Sequence, residues 1–404
     1  MKQIEGGVCA AKGFYANGVH CGIRRGREKR DLALIYSELP ASAAAVYTKN
    51  LVKGAPLAVT KANIADGSAR AVICNSGNAN TCNSNGVEIA EQTCALLADK
   101  LGIAAGDVIV ASTGVIGQPL DIAPIAAGIP PLCEGLVPDG SGLAAEAIMT
   151  TDTKIKSAAF AFDISGVECR IGGIAKGSGM IHPNMATMLV FVTTDCAITP
   201  QMLQKALSAD VKDSFNMISV DGDTSTNDMV SVMANGAAGN PVIDADGADF
   251  GAFCEALAAV TKTLCKAIAA DGEGATKLLE CTVTGASDTD AARTVAKSVV
   301  CSSLLKAAMF GADANWGRVL CAVGYSGVGT DVTKIGVSFA SAAGSIEVCR
   351  DGAGVDFSEE KAKEILSRGE IKINVSLGDG SASAVAWGCD LTYDYVKING
   401  DYRT

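Results

Sequence analysis

The chain has 404 residues, 49% of them apolar but only 5% aromatic, and includes 45 glycines; this is enough for two or three domains around real cores and excludes a disordered chain or a stapled mini-protein. With 33 basic and 44 acidic side chains the formal charge is −11, which repels phosphate backbones and anionic lipid surfaces, so neither nucleic acid nor membrane is expected as a partner. Two histidines, His20 and His182, are too few for a histidine-rich metal centre, and no metal is expected.

The first residues, MKQIEGGVCAAKGFYANG, lack an apolar core of signal-peptide length. No run of about 18 apolar residues follows, so a cytoplasmic protein is expected. Fifteen cysteines lie scattered from Cys9 to Cys389 with no CxxC pair, the pattern of small, reduced core residues. The basic run Arg24, Arg25, Arg27, Lys29 and Arg30 is broken by Glu28 and flanked by glycines; it reads as a solvated loop. A short strand at Ala71 to Cys74 should enter the polar loop NSGNANTCNSN, followed by a helix with Val87, Ala90, Cys94, Leu97 and Leu101 on one face. A strand from Val108 to Ala111 runs into Ser112, Thr113 and Gly114, by themselves an ordinary turn. Thr199 and Pro200 make an N-cap and first-turn pair for a helix to about Phe215. Residues 249–270 predict a long apolar helix that stops at DGEGA, 271–275, and period-two segments at 370–377 and 383–398 predict strands. Domain boundaries are weakly marked.

Residues 176–195, KGSGMIHPNMATMLVFVTTD, set a glycine-rich loop against an apolar strand with Thr187 at the junction. One reading is a loop feeding a core strand. The other makes Thr187 a nucleophile, which needs a base because a hydroxyl is unreactive at its free pKa. An N-terminal amine, pKa about 7.7–8.0, would serve, and that requires a cut before Thr187. His182, five residues earlier, is easily mistaken for the base. The segment DGDTSTND, 221–228, suggests a calcium loop, but Thr226 stands where position six needs glycine and Val232 where position twelve needs glutamate. A polar loop supporting an active site is the better reading. NSGNAN, 75–80, could be a bare turn cluster, and KGSG lacks the GKS or GKT ending of a phosphate loop.

KGSGMI-x-PNMATM resembles the self-cleavage signature of the ornithine acetyltransferase (glutamate N-acetyltransferase) family. SVDGDTSTND at 219–228, NSGNAN at 75–80, GADANWGR at 311–318 and the closing YVKINGDYRT at 395–404 resemble further blocks of that family in its own order. The likeness spans nearly the whole chain. Ala312 and Ala314 depart from the family's GRDPNW form, which bears on the rigidity of one loop.

The resemblance implies self-cleavage between Ala186 and Thr187, giving an α chain of residues 1–186 and a β chain of residues 187–404. Thr187 then takes acetyl from N-acetylornithine and passes it to glutamate in a ping-pong cycle, with Thr113 and Gly114 stabilising the oxyanion. It further implies substrate contacts from Thr150, Lys176, Thr187, Glu273, Asn399 and Thr404; taken singly, Lys176 and Glu273 would default to solvated surface positions. The implied fold is α+β, two sheets sandwiched between helical layers in the order α-β-β-α, with a smaller C-terminal α/β domain from about residue 280. The two chains should stay associated as a heterotetramer of two αβ units. No cofactor is expected, although acetyl-CoA could act as a second acetyl donor. Two alternatives stay open: an N-terminal-nucleophile amidase or aminopeptidase, and an uncleaved metabolite-binding protein.

Overall fold

The computed structural model describes residues 1–24, 28–182 and 188–400. Arg25, Arg27, Ala186, Thr187 and Thr404 lie outside the described residues.

The chain is mixed α and β. Its strands are β1 (Lys2–Ile4), β2 (Phe14–Val19), β3 (Leu32–Tyr47), β4 (Ser68–Asn78), β5 (Val108–Val115), β6 (Lys156–Ile164), β7 (Val167–Lys176), β8 (Leu189–Thr194), β9 (Ile218–Ser219) and β10 (Met229–Ala234). Beyond these come β11 (Leu278–Ala286), β12 (Gly336–Ser341), β13 (Gly344–Arg350), β14 (Ala353–Gly354), β15 (Glu370–Ser376) and β16 (Ala382–Cys389). The helices are α1 (Ala55–Asn63), α2 (Gly86–Leu101), α3 (Ile122–Glu134), α4 (Ser141–Ile148), α5 (Pro200–Asp210), α6 (Ala248–Ala270), α7 (Thr289–Cys301), α8 (Ser303–Phe310), α9 (Trp316–Gly324), α10 (Glu359–Leu366) and α11 (Tyr393–Asn399).

The first sheet runs β1-β6-β7-β8-β10-β3-β4-β5, with β2 paired to β3. The long strand β3 joins its two halves: residues 32–37 pair with β2, residues 42–47 with β10, and the register against β4 slips between Tyr36 and Ala41. Pro40, which has no N–H to give a ladder, sits in that slip. One core fills the space between the halves, joining Ile35, Val72 and Ile109 to Ile174, Leu189, Phe191 and Met233. Much of it is alanine, including Ala33, Ala43, Ala45 and Ala111, so the low aromatic content has a structural counterpart in closely approaching layers. On the outer faces Leu34, Ile73 and Val110 pack with α1 to α3, while Ile171, Val190 and Val232 pack with α5 and α6. The α-β-β-α order is present, its two β layers being halves of one nine-stranded sheet.

The second sheet, β14-β13-β12-β15-β11-β16-β9, carries α7 on β11 and β16 and α10 on β12 and β13. Helix α6 touches β6 and β7 on one side and β11 and β16 on the other, tying both sheets to one core. Its expected span, 249–270, matches the observed helix closely.

Several expectations need correcting. Val87 is exposed; the buried face of α2 is Ile89, Ala90, Thr93, Cys94, Leu97 and Ala98, and Val87 lies in the first turn, at the margin of that face. The helix capped by the Thr199 hydroxyl ends at Asp210, not Phe215. The segment 383–398 is a strand only to Cys389; Thr392 then caps α11 by accepting from the Tyr395 N–H. Ser112 to Gly114 and Asn75 to Asn78 are strand ends, not turns.

Candidate active site

The C-terminal end of β5 and the adjoining ends of β7, β8 and β10 open onto one cleft. Thr113 lines it together with Lys176, Gly179, Met188, Asn227 and Asp228. Strands β4 and β5 run parallel until Asn78, which pairs with both Thr113 and Val115 in a bulge. Gly114 there has φ +134°, and a Cβ on it would run into the Gly77–Asn78 peptide. Only glycine fits this position, and its neighbour Thr113 is aimed into the cleft.

Lys176 is the last residue of β7 and is 9% exposed. That corrects the surface default. Its positive charge acts on the Asp152 and Asp228 carboxylates and is placed to meet an anion in the cleft.

A fully buried ion network lies behind it. Lys156 Nζ donates to Asp152 Oδ1 and Asp271 Oδ2, both at 2.6 Å. Asp152 also accepts from the Gly177 N–H at 2.7 Å and the Thr150 N–H at 2.9 Å, and Asp271 accepts from the Thr153 N–H at 3.0 Å and from its hydroxyl. Burial alone would raise the Asp152 pKa, but the Lys176 and Lys156 charges and these hydrogen bonds outweigh it and hold the carboxyl down to about 2. One lysine thereby joins three segments: the Thr150 loop, the glycine loop after Lys176, and the turn leading to Glu273.

Glu273 is 8% exposed, again not a surface residue. Its N–H donates to Ser178 O at 2.8 Å, and its carboxylate lies over Gly179, where a Cβ would collide with it. Asn399 Nδ2 donates to Glu273 Oε2 at 2.8 Å. The final helix docks on this turn, with the Thr392 hydroxyl donating to Gly274 O at 2.7 Å.

The block 219–228 binds the cleft's two walls. Asp221 accepts from the N–H groups of Met180 (2.6 Å) and Ile181 (2.9 Å), fixing Met180 at φ +55°. Asn227 Nδ2 donates to Ala79 O (2.5 Å) and Ser112 O (2.9 Å), while its Oδ1 accepts from the Thr81 and Thr226 hydroxyls, both at 2.6 Å. Asp228 is fully buried, and burial pushes its pKa well above the carboxylate range against the pull of Ser225, Lys176 and Thr48. His182 turns away from the cleft, its Nδ1 3.1 Å from Ser219 Oγ and 3.5 Å from Cys301 Sγ. Burial first, then Lys297, brings its pKa down to about 4, so it is a neutral packing residue at pH 7.

Thr113, Gly114, Thr150, Lys176, Glu273 and Asn399 are thus gathered around one loop system, while Thr187 and Thr404 lie outside the described residues. Sequence reasoning missed Asp152, Lys156, Asp271, Asn227 and Asp228 as individuals. Their signal was faint: Asp271 opens the DGEGA segment, Asn227 and Asp228 close the 221–228 block, Asp152 lies two residues after Thr150, and Lys156 looks like any strand lysine. Among the described residues no three His, Cys, Asp or Glu side chains converge as a metal site. All fifteen cysteines are free thiols, and no helix among the described residues is long and apolar enough to cross a membrane.

The sequence matches the ArgJ family over residues 15–404. It is 51% identical to the arginine biosynthesis bifunctional protein ArgJ of Symbiobacterium thermophilum, covering 100% of both chains. A crystal structure of ArgJ from Bacillus halodurans is 48% identical with a TM-score of 0.50, covering 52% of this chain and 97% of that one. An ornithine acetyltransferase from Mycobacterium tuberculosis, crystallised with ornithine, is 36% identical with a TM-score of 0.42, covering 46% of this chain and 99% of that one.

Proposed function

The chain belongs to the ArgJ family, and from that premise we propose that its cleft moves acetyl from N-acetylornithine to glutamate through an acetyl ester on Thr187. The enzyme is an acyltransferase of arginine biosynthesis. The observation that carries the reading is a buried lysine, Lys176, lining the same cleft as Thr113, with the Glu273–Asn399 pair on the adjoining loop.

Cleavage before Thr187 frees the amine that serves as base. The Thr187 hydroxyl attacks the acetyl carbonyl, and the tetrahedral oxyanion is met by Thr113 and Gly114, whose strand end is held by Asn227 through Ser112 O. Ornithine leaves, glutamate enters, and the same steps run in reverse. Lys176 takes the α-carboxylate common to both substrates, while Glu273, steadied by Asn399, faces the ornithine ammonium. Thr150 and Thr404 complete the binding shell. No cofactor is required by this chemistry, and acetyl-CoA would enter, if used, as a second donor to the same threonine.

The two fragments interleave. Strand β8, after the cut, pairs with β7 before it, and β10 pairs with β3, so the α and β chains stay together after cleavage; two αβ units would form the heterotetramer. The Bacillus halodurans chain, matched over 97% of its length, spans 52% of this one, the proportion of one of two such fragments.

The purified protein, given N-acetylornithine, is expected to release ornithine at a rate that depends on glutamate, with N-acetylglutamate formed mole for mole. Equal ornithine release with and without glutamate would replace this reading with a hydrolase.

A further inference from the structure

Asp228 has no part in the cycle as described above, yet its surroundings are unusual. It is buried, it stands at the mouth of β10 where the Met229 N–H donates to Met188 O at 2.9 Å, and it lines the cleft with Thr113 and Lys176. Among the described residues its Oδ2 has no hydrogen-bond partner. A carboxyl oxygen left unpaired in a buried cleft costs free energy that a native chain seldom bears without a use. Its neighbour Asn227 is fully satisfied by four hydrogen bonds, so the backbone here is held firmly and the orphan oxygen is not a sign of local looseness.

Given the acetyl transfer proposed above, we infer that Asp228 is a further catalytic residue, the group that hands a proton to the departing α-nitrogen and takes one from the arriving α-nitrogen. The position suits the task. An acyl amino acid with its carboxylate on Lys176 and its carbonyl oxygen at Thr113 carries its α-nitrogen between them, where Asp228 lines the same cleft. The environment suits it as well, since burial favours the neutral acid and Lys176 opposes burial by favouring the carboxylate.

The step balances. In the first half-reaction the tetrahedral intermediate collapses, the C–N bond breaks, the carbonyl re-forms as the acetyl ester, and the Asp228 proton passes to nitrogen, so that ornithine leaves as a neutral amine. Asp228 stays behind as a carboxylate beside Lys176. In the second, the neutral amine of glutamate attacks the ester carbonyl, one N–H proton passes to Asp228, the C–O bond to Thr187 breaks, and the threonine oxygen recovers its proton from the terminal ammonium. Both groups return to their starting states.

The test separates leaving groups that need a proton from those that do not. Asp228→Asn and wild type are compared with N-acetylornithine and with p-nitrophenyl acetate, whose phenolate leaves unprotonated. In the self-cleaved variant, ornithine release is expected to fall 100-fold or more, within the usual range of about 100- to 10,000-fold for general acid–base catalysis, while the p-nitrophenolate burst stays within about 3-fold. Equal loss with both donors, loss with neither, or a variant that stays a single chain overturns the assignment; the last makes Asp228 a maturation residue. Should Asn prevent folding, Asp228→Glu decides in the same pair of assays, expected to keep the ratio of the two rates within about 3-fold of wild type; a 100-fold change in that ratio overturns it. Wild type that fails to transfer acetyl at all would sink the underlying reading and not this step alone.

Discussion

Asn399, on the last helix, donates its amide to the carboxylate of Glu273, 126 residues earlier in the chain, across 2.8 Å. In the reading proposed above, this pair meets the side chain of the acyl donor. Glu273→Gln should raise the KM for N-acetylornithine by about 10- to 100-fold, the worth of a hydrogen bond to a charged group, and change the KM for glutamate by less than about 3-fold. Steady-state kinetics with each substrate varied in turn checks this; parallel rises in both would contradict it.

Lys176 is assigned to the carboxylate both substrates share, so its removal should not discriminate. Lys176→Met is expected to raise both KM values by about 10-fold or more, and because its charge also helps keep the buried Asp152 carboxylate ionised, some thermal stability should be lost with it.

Lys156 is the opposite case. Lys156→Met leaves Asp152 and Asp271 buried without their cation, and urea unfolding should register a loss of about 3–5 kcal/mol. Loss of less than about 1 kcal/mol would mean that water already reaches the site.

Gly114→Ala forces a Cβ into the Gly77–Asn78 peptide and shifts the end of β5. The expected result is a fall in kcat of about 100- to 1000-fold, as for loss of an oxyanion donor, with KM little changed. A pure KM effect would remove Thr113 and Gly114 from the oxyanion role.

The acid response of the fold should carry the signature of His182. Its folded pKa of about 4 lies below the unfolded value of 6.5, so the unfolded chain binds the proton first. The contribution to stability is complete above pH 6.5 and is lost as pH falls from 6.5 toward 4. Urea midpoints at pH 7 and pH 5 should differ in wild type and differ less in His182→Asn.

Much of this arrangement was legible in the sequence, and the reasons are physical. Long elements with one clear period, such as α6 and β8, announce themselves through their apolar spacing. The glycine loop, the 219–228 block and the Asp271–Ala275 turn stood out because they interrupt that spacing with residues a core does not want. What could not be read was pairing across the chain. Nothing local tells that Lys156 meets Asp271, 115 residues away, or that Asn227 reaches back to Ser112. Val87 and the end of β16 were misjudged for a related reason: how far packing covers a helix's first turn, and where a cap such as Thr392 ends a strand's run, are not weighed by periodicity alone.

The most direct test of the central claim is the mass of the purified protein under denaturing conditions, with the N-terminus of every species sequenced. The account predicts two chains, residues 1–186 and 187–404, the second beginning with Thr187, Met188 and Leu189. A single chain of 40.9 kDa that stays intact through prolonged incubation would contradict it, since the base on which the acetyl-threonine cycle depends would never be formed.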